Sequence, residues 1–366
     1  MNAKSVRFRR RLILLLIPIG LLLAVALWTW WAEGHPREER RLRVLVHDKL
    51  DAWFPQAMAP LDGWHGLIPR IQVVPDGAEP ALPRVLLVHG LDEPGDIWDD
   101  LIPVLGSAGF EVWEFRYPND QGVDRSTDLL AAHWPELPSD RPVVLIGHSM
   151  GGLIIRDFIT RWRSPAGAPA PVEGAPVHGV ILVGTPNQGS EWARLRIWLE
   201  LRDHLAAGPE RRFSLFAGLR DGTGEAKIDL RPGSAFLEDL NARPWPESVP
   251  VRLIGGLLTE PPASMAASLE AISAEIGSTD LAPDLAEVLE DWWSSLGEGL
   301  GDGVVPLDSL RIPGAPPPVL VRASHRGMIA RLFPSDPEPE AIPHIVTILK
   351  EWSRDEPRAR RKAYIP

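Results

Sequence analysis

From Pro83 to near the C-terminus, apolar residues fall into short unbroken runs separated by stretches in which they recur every three or four positions. Such alternation marks buried parallel strands joined by amphipathic helices that cover both faces of a sheet. Six runs predict strands: Arg84 to His89, Glu111 to Arg116, Val143 to Gly147, Val180 to Gly184, Val251 to Gly255 and Val319 to Ala323. Helices are predicted over Ile97 to Ala108, where Ile97, Leu101 and Leu105 share a face, over Asp128 to Trp134, and over Met150 to Arg163. Pro343 to Trp352, with Ile345, Ile348 and Leu349, predicts a closing helix. Two insertions interrupt the pattern. Residues 190–247 carry Trp192, Leu195, Trp198, Leu199 and Leu205 at helical spacing, and residues 259–299 carry Leu285, Val288, Leu289, Trp292 and Trp293. Burial against the parent domain is the usual fate of such stripes; a lid over a site is the alternative. The Pro, Ala and Gly run from Ser164 to Pro176 reads as a surface linker.

The N-terminus has a different texture. Leu12 to Trp31 is twenty residues without a charge, long enough at about 1.5 Å per residue to cross a hydrocarbon core about 30 Å thick. It follows Lys4, Arg7, Arg9, Arg10 and Arg11 and closes on Trp28, Trp30 and Trp31, side chains suited to a membrane interface. A single-pass anchor is expected, with the tail in the cytoplasm and the body outside. The rival is a signal peptide cut after the small-x-small triplet Ala24-Val25-Ala26, with secretion of the rest. Arg37, Arg40, Arg41 and Arg43 after the segment reduce the charge bias that sets orientation. A helix over Arg37 to Gln56 is expected to join anchor and body. The expected organisation is therefore a basic tail (1–11), the anchor (12–31), a juxtamembrane helix and linker (32–82), an α/β domain with both insertions (83–355) and a basic tail (356–366).

Composition narrows the chemistry. At 366 residues, 45% of them apolar, the chain can bury a large core. A net charge of -11 argues against nucleic acid as a partner, because neutralising phosphates needs clustered Lys and Arg. The absence of cysteine removes disulfides, thiolate nucleophiles and cysteine-based zinc sites.

Against that background Gly147-His148-Ser149-Met150-Gly151 stands out. A serine hydroxyl needs a base within reach and a position clear of the sheet. Ser149 falls on the turn between a buried strand and a helix, and glycines at 147 and 151 remove the Cβ atoms that so sharp a turn would bring into collision. Gly-x-Ser-x-Gly alone is weak evidence, and Ser149 as an ordinary turn serine is the bland reading. The strand-to-helix setting makes it a nucleophile candidate. The start of that helix directs free N–H groups at an oxyanion, and the N–H of Leu91, after the strand ending in His89-Gly90, is placed to join that of Met150. His89 is then expected to brace the loop rather than act as a base.

The acid and the base should follow in chain order from later strand ends. Asp302, between Gly301 and Gly303, is the favoured acid, with Asp308 and Asp280 as substitutes if Asp302 is only a turn aspartate. His325, just after the strand ending at Ala323, is the favoured base. His344 begins a helix, His148 lies inside the serine motif, and His133, His178 and His204 precede the acid.

Six stretches together carry a resemblance: Leu87 to Leu91, Phe115 to Asp120, Gly147 to Gly152, Gly184 to Ser190, Asp302 to Pro306 and Ser324 to Met328. They resemble the successive landmarks of bacterial lipase- and esterase-type α/β-hydrolases over roughly residues 84 to 352. The resemblance implies an α/β-hydrolase fold, a Ser149–Asp302–His325 triad with Leu91 and Met150 as oxyanion donors, and no cofactor or metal. It implies acyl esters as substrates, and an anchor beside such a site, which keeps it near the bilayer, points to lipid among them. Asn187 stands where such enzymes would carry a histidine, which leaves the substrate open. An acyltransferase using the same acyl-enzyme, and a silent binding protein on this fold, are the alternatives.

Overall fold

A computed structural model of the chain describes residues 20, 23–24, 26–58, 65–72, 82–91, 93, 96–191, 224–258, 301–331 and 335–362. The apolar stripes expected at 192–205 and 285–293, together with His204 and Asp280, lie outside the described residues. So does most of the expected anchor at 12–31, and no helix among the described residues is long and apolar enough to cross a membrane.

All six expected strands form. They are β2 (Arg84–Val88), β3 (Val112–Arg116), β4 (Val143–His148), β5 (Val177–Val183), β6 (Val251–Gly256) and β7 (Val319–Val321). A seventh, β1 (Gly66–Ile71), comes from the stretch expected to be linker, so the sheet domain begins before Pro83. The order is β1-β3-β2-β4-β5-β6-β7, with β1 antiparallel to β3 and the other pairs parallel. Pro69 lacks an N–H, which suits it to an edge strand, and the register slips between Pro69 and Ile71.

The unbroken apolar runs become the strands covered on both faces: every residue of β2 and β4 is buried. Alternation along these strands divides the core. Leu86, Val88 and Leu145 join one cluster, with α3 (Val123–His133) and α4 (Met150–Phe158). Val85, Leu87, Val144 and Ile146 join the other, with α2 (Leu101–Ser107) and α6 (Ala341–Lys362). Each such side chain contributes about 1.5–3 kcal/mol on burial. α4 is buried at all nine positions, which clamps the start of that helix against the sheet.

The expected joining helix is α1 (Pro36–Trp53), and its amphipathy is inverted. Its inward face is charged. Arg40 Nε lies 2.6 Å from Asp229 Oδ1 and its Nη2 2.7 Å from Asp124 Oδ1. Buried Glu39 takes Arg43 at 2.8 Å and Arg231 at 3.2 Å, and buried His47 faces Glu225 at 3.4 Å. Leu42, Leu45, Val46 and Trp53 are turned outward and exposed. The contacts from Glu225 to Arg231 bring α5 (Glu225–Asp229) against α1.

Burial pushes the Asp229 carboxyl up to about 6, against the pull of Arg40. Arg40→Ala strands that carboxyl, and a loss of about 3–5 kcal/mol is expected in urea unfolding at pH 8. A buried acid with a raised pKa is favourable below its unfolded value of 3.8 and unfavourable above its folded one. The deficit of the variant should therefore shrink as pH falls from 8 toward about 6 and be largely gone by pH 5, where the parent's carboxyl is protonated as well; a deficit that is constant from pH 8 to 5 would show that Asp229 is not its source.

Candidate active site

β4 ends at His148 and α4 begins at Met150, so Ser149 carries the whole reversal. With φ 54° and ψ -126° it is the one non-glycine residue at positive φ among the described residues. Such a backbone costs on the order of 1–3 kcal/mol and persists only where its surroundings fix it. Here the Ser149 N–H donates to the Val183 carbonyl at 2.9 Å, and the Gly152 N–H donates to the Ser149 carbonyl at 3.0 Å. Glycine is required on both sides. A Cβ on Gly147 would lie 2.7 Å from the Gly152 backbone, and one on Gly151 would run into the Val88 carbonyl oxygen.

The β2 turn passes directly beside this point, since a Cβ on Gly90 would lie 2.8 Å from the Ser149 Cβ. The N–H groups of Leu91 and Met150 flank the serine from the two turns, and neither meets an acceptor among the described residues. Two orphan donors at a helix start and an adjoining turn suit a developing oxyanion. His89 braces the turn as expected. Its Nδ1 is 2.9 Å from the Gly90 carbonyl, its ring stacks on Tyr117 at 4.4 Å, and the Tyr117 hydroxyl donates to its carbonyl at 2.5 Å. Burial lowers its pKa, which favours the neutral ring.

Asp302 and His325 meet. The buried carboxylate of Asp302 accepts from His325 Nδ1 at 2.7 Å through Oδ2, and from the Val304 and Val305 N–H groups at 2.9 and 2.7 Å through Oδ1. The His325 N–H also donates to the Asp302 carbonyl at 3.0 Å. Nδ1 thus faces the carboxylate, and Nε2 lies on the opposite side of the ring. Asp308 has a side chain 93% exposed and pairs with Arg311, away from any imidazole. His344 is exposed, His133 pairs with Glu136, and His178 lies against Trp352.

Asn187 is buried and structural. Its side chain donates to the Leu310 carbonyl at 2.7 Å and accepts from Arg156 at 3.1 Å, while Asn241 donates to its carbonyl at 3.0 Å. These bonds hold the buried guanidinium of Arg156, whose pKa is lowered to about 10 by desolvation and by Arg243.

Two buried residues missed by sequence reasoning lie at the centre. Glu93 accepts from the Gly90 N–H at 3.0 Å and from His148 Nδ1 at 2.6 Å, and His148 Nε2 is 3.0 Å from the His325 carbonyl. The His148 and His325 rings are 4.8 Å apart. Ligand atoms of Glu93, His148 and His325 lie within 4.8 Å of one another, a grouping that could hold a metal ion, yet hydrogen bonds among these groups and Asp302 already account for it. No local pattern marks Glu93, a charged loop residue whose partner is 55 positions away.

The family model described as "Alpha/beta hydrolase family" matches residues 85–361. No curated protein matches the chain by sequence. Among solved structures, lipase BlEst2 of Bacillus licheniformis in its mature form aligns with a TM-score of 0.50 at 18% identity, over 77% of this chain and 97% of that one. Its propeptide form aligns at 0.51 and 18% identity, over 76% and 53%. The metagenomic carboxyl esterase MGS0156 aligns at 0.49 and 20% identity, over 80% and 82%. At these identities the likeness concerns the fold.

Burial works against ionisation of Glu93, but the charge and hydrogen bond of His148, with His325 and the Gly90 N–H, hold its pKa down at about 2. A depressed carboxylate contributes stability above its unfolded value of 4.5 and loses it as pH falls toward 2, here on the order of 3 kcal/mol. Glu93→Gln should therefore unfold at lower urea than the parent at pH 7, with the gap narrowing once pH drops below 4.5. A gap equal at pH 7 and pH 3 would contradict this account of Glu93.

Proposed function

Because this chain belongs to the α/β-hydrolase family, we propose that it is a serine carboxylic-ester hydrolase of the lipase and esterase type, acting through an acyl-enzyme on Ser149. The observation that carries the reading is the strained turn at Ser149 with the Asp302–His325 bond of 2.7 Å on the neighbouring loops. His325 takes the Ser149 proton through Nε2 as the hydroxyl oxygen attacks the ester carbonyl, while Asp302 keeps Nδ1 protonated and stabilises the cation. The N–H groups of Leu91 and Met150 receive the oxyanion. His325 then protonates the leaving alcohol, and water clears the acyl group by the same proton path in reverse. None of these steps calls on a cofactor.

The reading extends to lipid esters as substrates and to a membrane as the place of work, with residues 12–31 as the anchor and the hydrolase domain on the extracytoplasmic side. The outward apolar face of α1 supports it. Leu42, Leu45, Val46, Trp53 and Phe54 are exposed, as are Leu27, Trp28 and Trp30 earlier in the chain, and exposed apolar side chains of this kind suit a bilayer surface.

Ser149→Ala is expected to keep the fold and to abolish both ester turnover and labelling by a fluorophosphonate; persisting turnover in the purified variant would exclude Ser149 as the nucleophile. Product analysis with alcohol or amine acceptors added separates hydrolysis from acyl transfer, and a parent protein inert to every serine-directed probe would revive the silent binding protein. For the membrane reading, the full chain should float with vesicles after an alkaline carbonate wash, and its intact mass should retain residues 1–31. Recovery in the soluble fraction with a mass beginning after Ala26 would establish secretion instead.

A further inference from the structure

Besides Asp302, the site contains a second buried carboxylate with no part in the proton path. Glu93 lies on the loop after β2, where a negative charge beside an oxyanion site has no evident use. Its bonds give it one. Through Oε2 it holds the Gly90 N–H at 3.0 Å and His148 Nδ1 at 2.6 Å. His148 is fully buried, and its other nitrogen reaches 3.0 Å to the carbonyl oxygen of His325. Both ring nitrogens therefore face acceptors, a carboxylate on one side and a backbone carbonyl on the other. The ring is therefore held from both sides.

We propose that Glu93 and His148 form a positioning pair for the base: Glu93 orients the His148 ring, and His148 holds the His325 backbone at a fixed separation from the adjoining Ser149. It rests on the reading of Ser149 and His325 as nucleophile and base. Three loops with no contact in sequence are tied by one carboxylate and one ring. The Gly90 turn carries one oxyanion donor, the β4 turn carries the nucleophile, and the loop after β7 carries the base. His325 is fixed at three atoms as a result: its N–H on the Asp302 carbonyl, its Nδ1 on the Asp302 carboxylate, and its carbonyl on His148. The first two bonds tie the ring and its backbone to the loop that carries Asp302. Only the third ties that loop to the strand that ends at Ser149.

Such a tie matters because proton transfer needs the heavy atoms within about 2.6–3.2 Å, and a displacement of about 1 Å costs on the order of 100-fold in rate. Substrate binding does not pass through the pair. Its loss should therefore fall on kcat and leave KM nearly unchanged. The lowered pKa of Glu93 agrees with a permanently ionised partner.

The test uses the full chain and a soluble short-chain ester, with kcat expressed per site titrated by a fluorophosphonate, so that misfolded molecules do not count. Glu93→Ala and His148→Ala are each expected to lower kcat by about 10- to 100-fold with KM within about two-fold. The double variant is expected to fall no further than the worse single one, because the two side chains act in series. Glu93→Gln keeps an acceptor for Gly90 and His148 without the charge and should retain an intermediate kcat; it stands in if the alanine variant does not fold. Normal kcat per titrated site in Glu93→Gln and His148→Ala, multiplicative losses in the double variant, or a change confined to KM would each overturn the positioning role. A parent protein with no titratable site would instead sink the ester-hydrolase reading, and so the two failures are told apart.

Discussion

The backbone at Ser149 is held where a residue bearing a Cβ does not rest by choice, and the surrounding architecture acts to keep it there. β4 delivers the chain to that point between two covered faces, and α4 leaves it with all nine residues buried. Relaxing the turn would mean withdrawing side chains that each contribute about 1.5–3 kcal/mol by burial, against a local strain of about 1–3 kcal/mol. Packing outweighs strain by a wide margin, so the hydroxyl stays presented. The glycines at 147 and 151 are the counterpart of that packing, since the helix can press so closely on the sheet only where side chains are absent.

Polar groups around the turn are buried but connected, and several of the connections reach from one loop to another. Asp302 uses both carboxylate oxygens, on His325 and on the N–H groups of Val304 and Val305. Asn187, which departs from the histidine expected by resemblance, serves Arg156, Leu310 and Asn241. A buried polar group is tolerable when its partners are in place and costly when one is missing, so these networks fix loop geometry in a way that apolar packing alone would not.

What the sequence discloses and what it hides follow from the range of each interaction. β2 and β4 are legible because burial on both faces demands continuous apolar runs, a signal complete within six residues. β1 is hidden: Pro69 argues against a strand, and the pairing that rescues it lies on β3, more than forty positions on. β5 begins three residues earlier than its apolar core suggests, because His178 and Gly179 fit a strand flank without announcing one. Asp302 and His325 are legible because chain order and strand ends constrain them. Glu93 and His148 are not, since the meaning of each depends on a partner known only after folding. The same limit applies to α1, whose apolar residues suggest an inward face until Glu39 and Asp229 are seen to occupy that side.

The docked α1 also has a mechanical meaning. A stretch between an N-terminal segment and a folded body is commonly a leash, free to swing. Here the helix is bolted along its length by Arg40, Glu39 and His47, and peeling it away would strand several charges at once. It is a strut. Any restraint acting on the chain near Trp31 is passed to the sheet as an orientation rather than as a distance, so tilt and height of the Ser149 end are set together by one rigid lever.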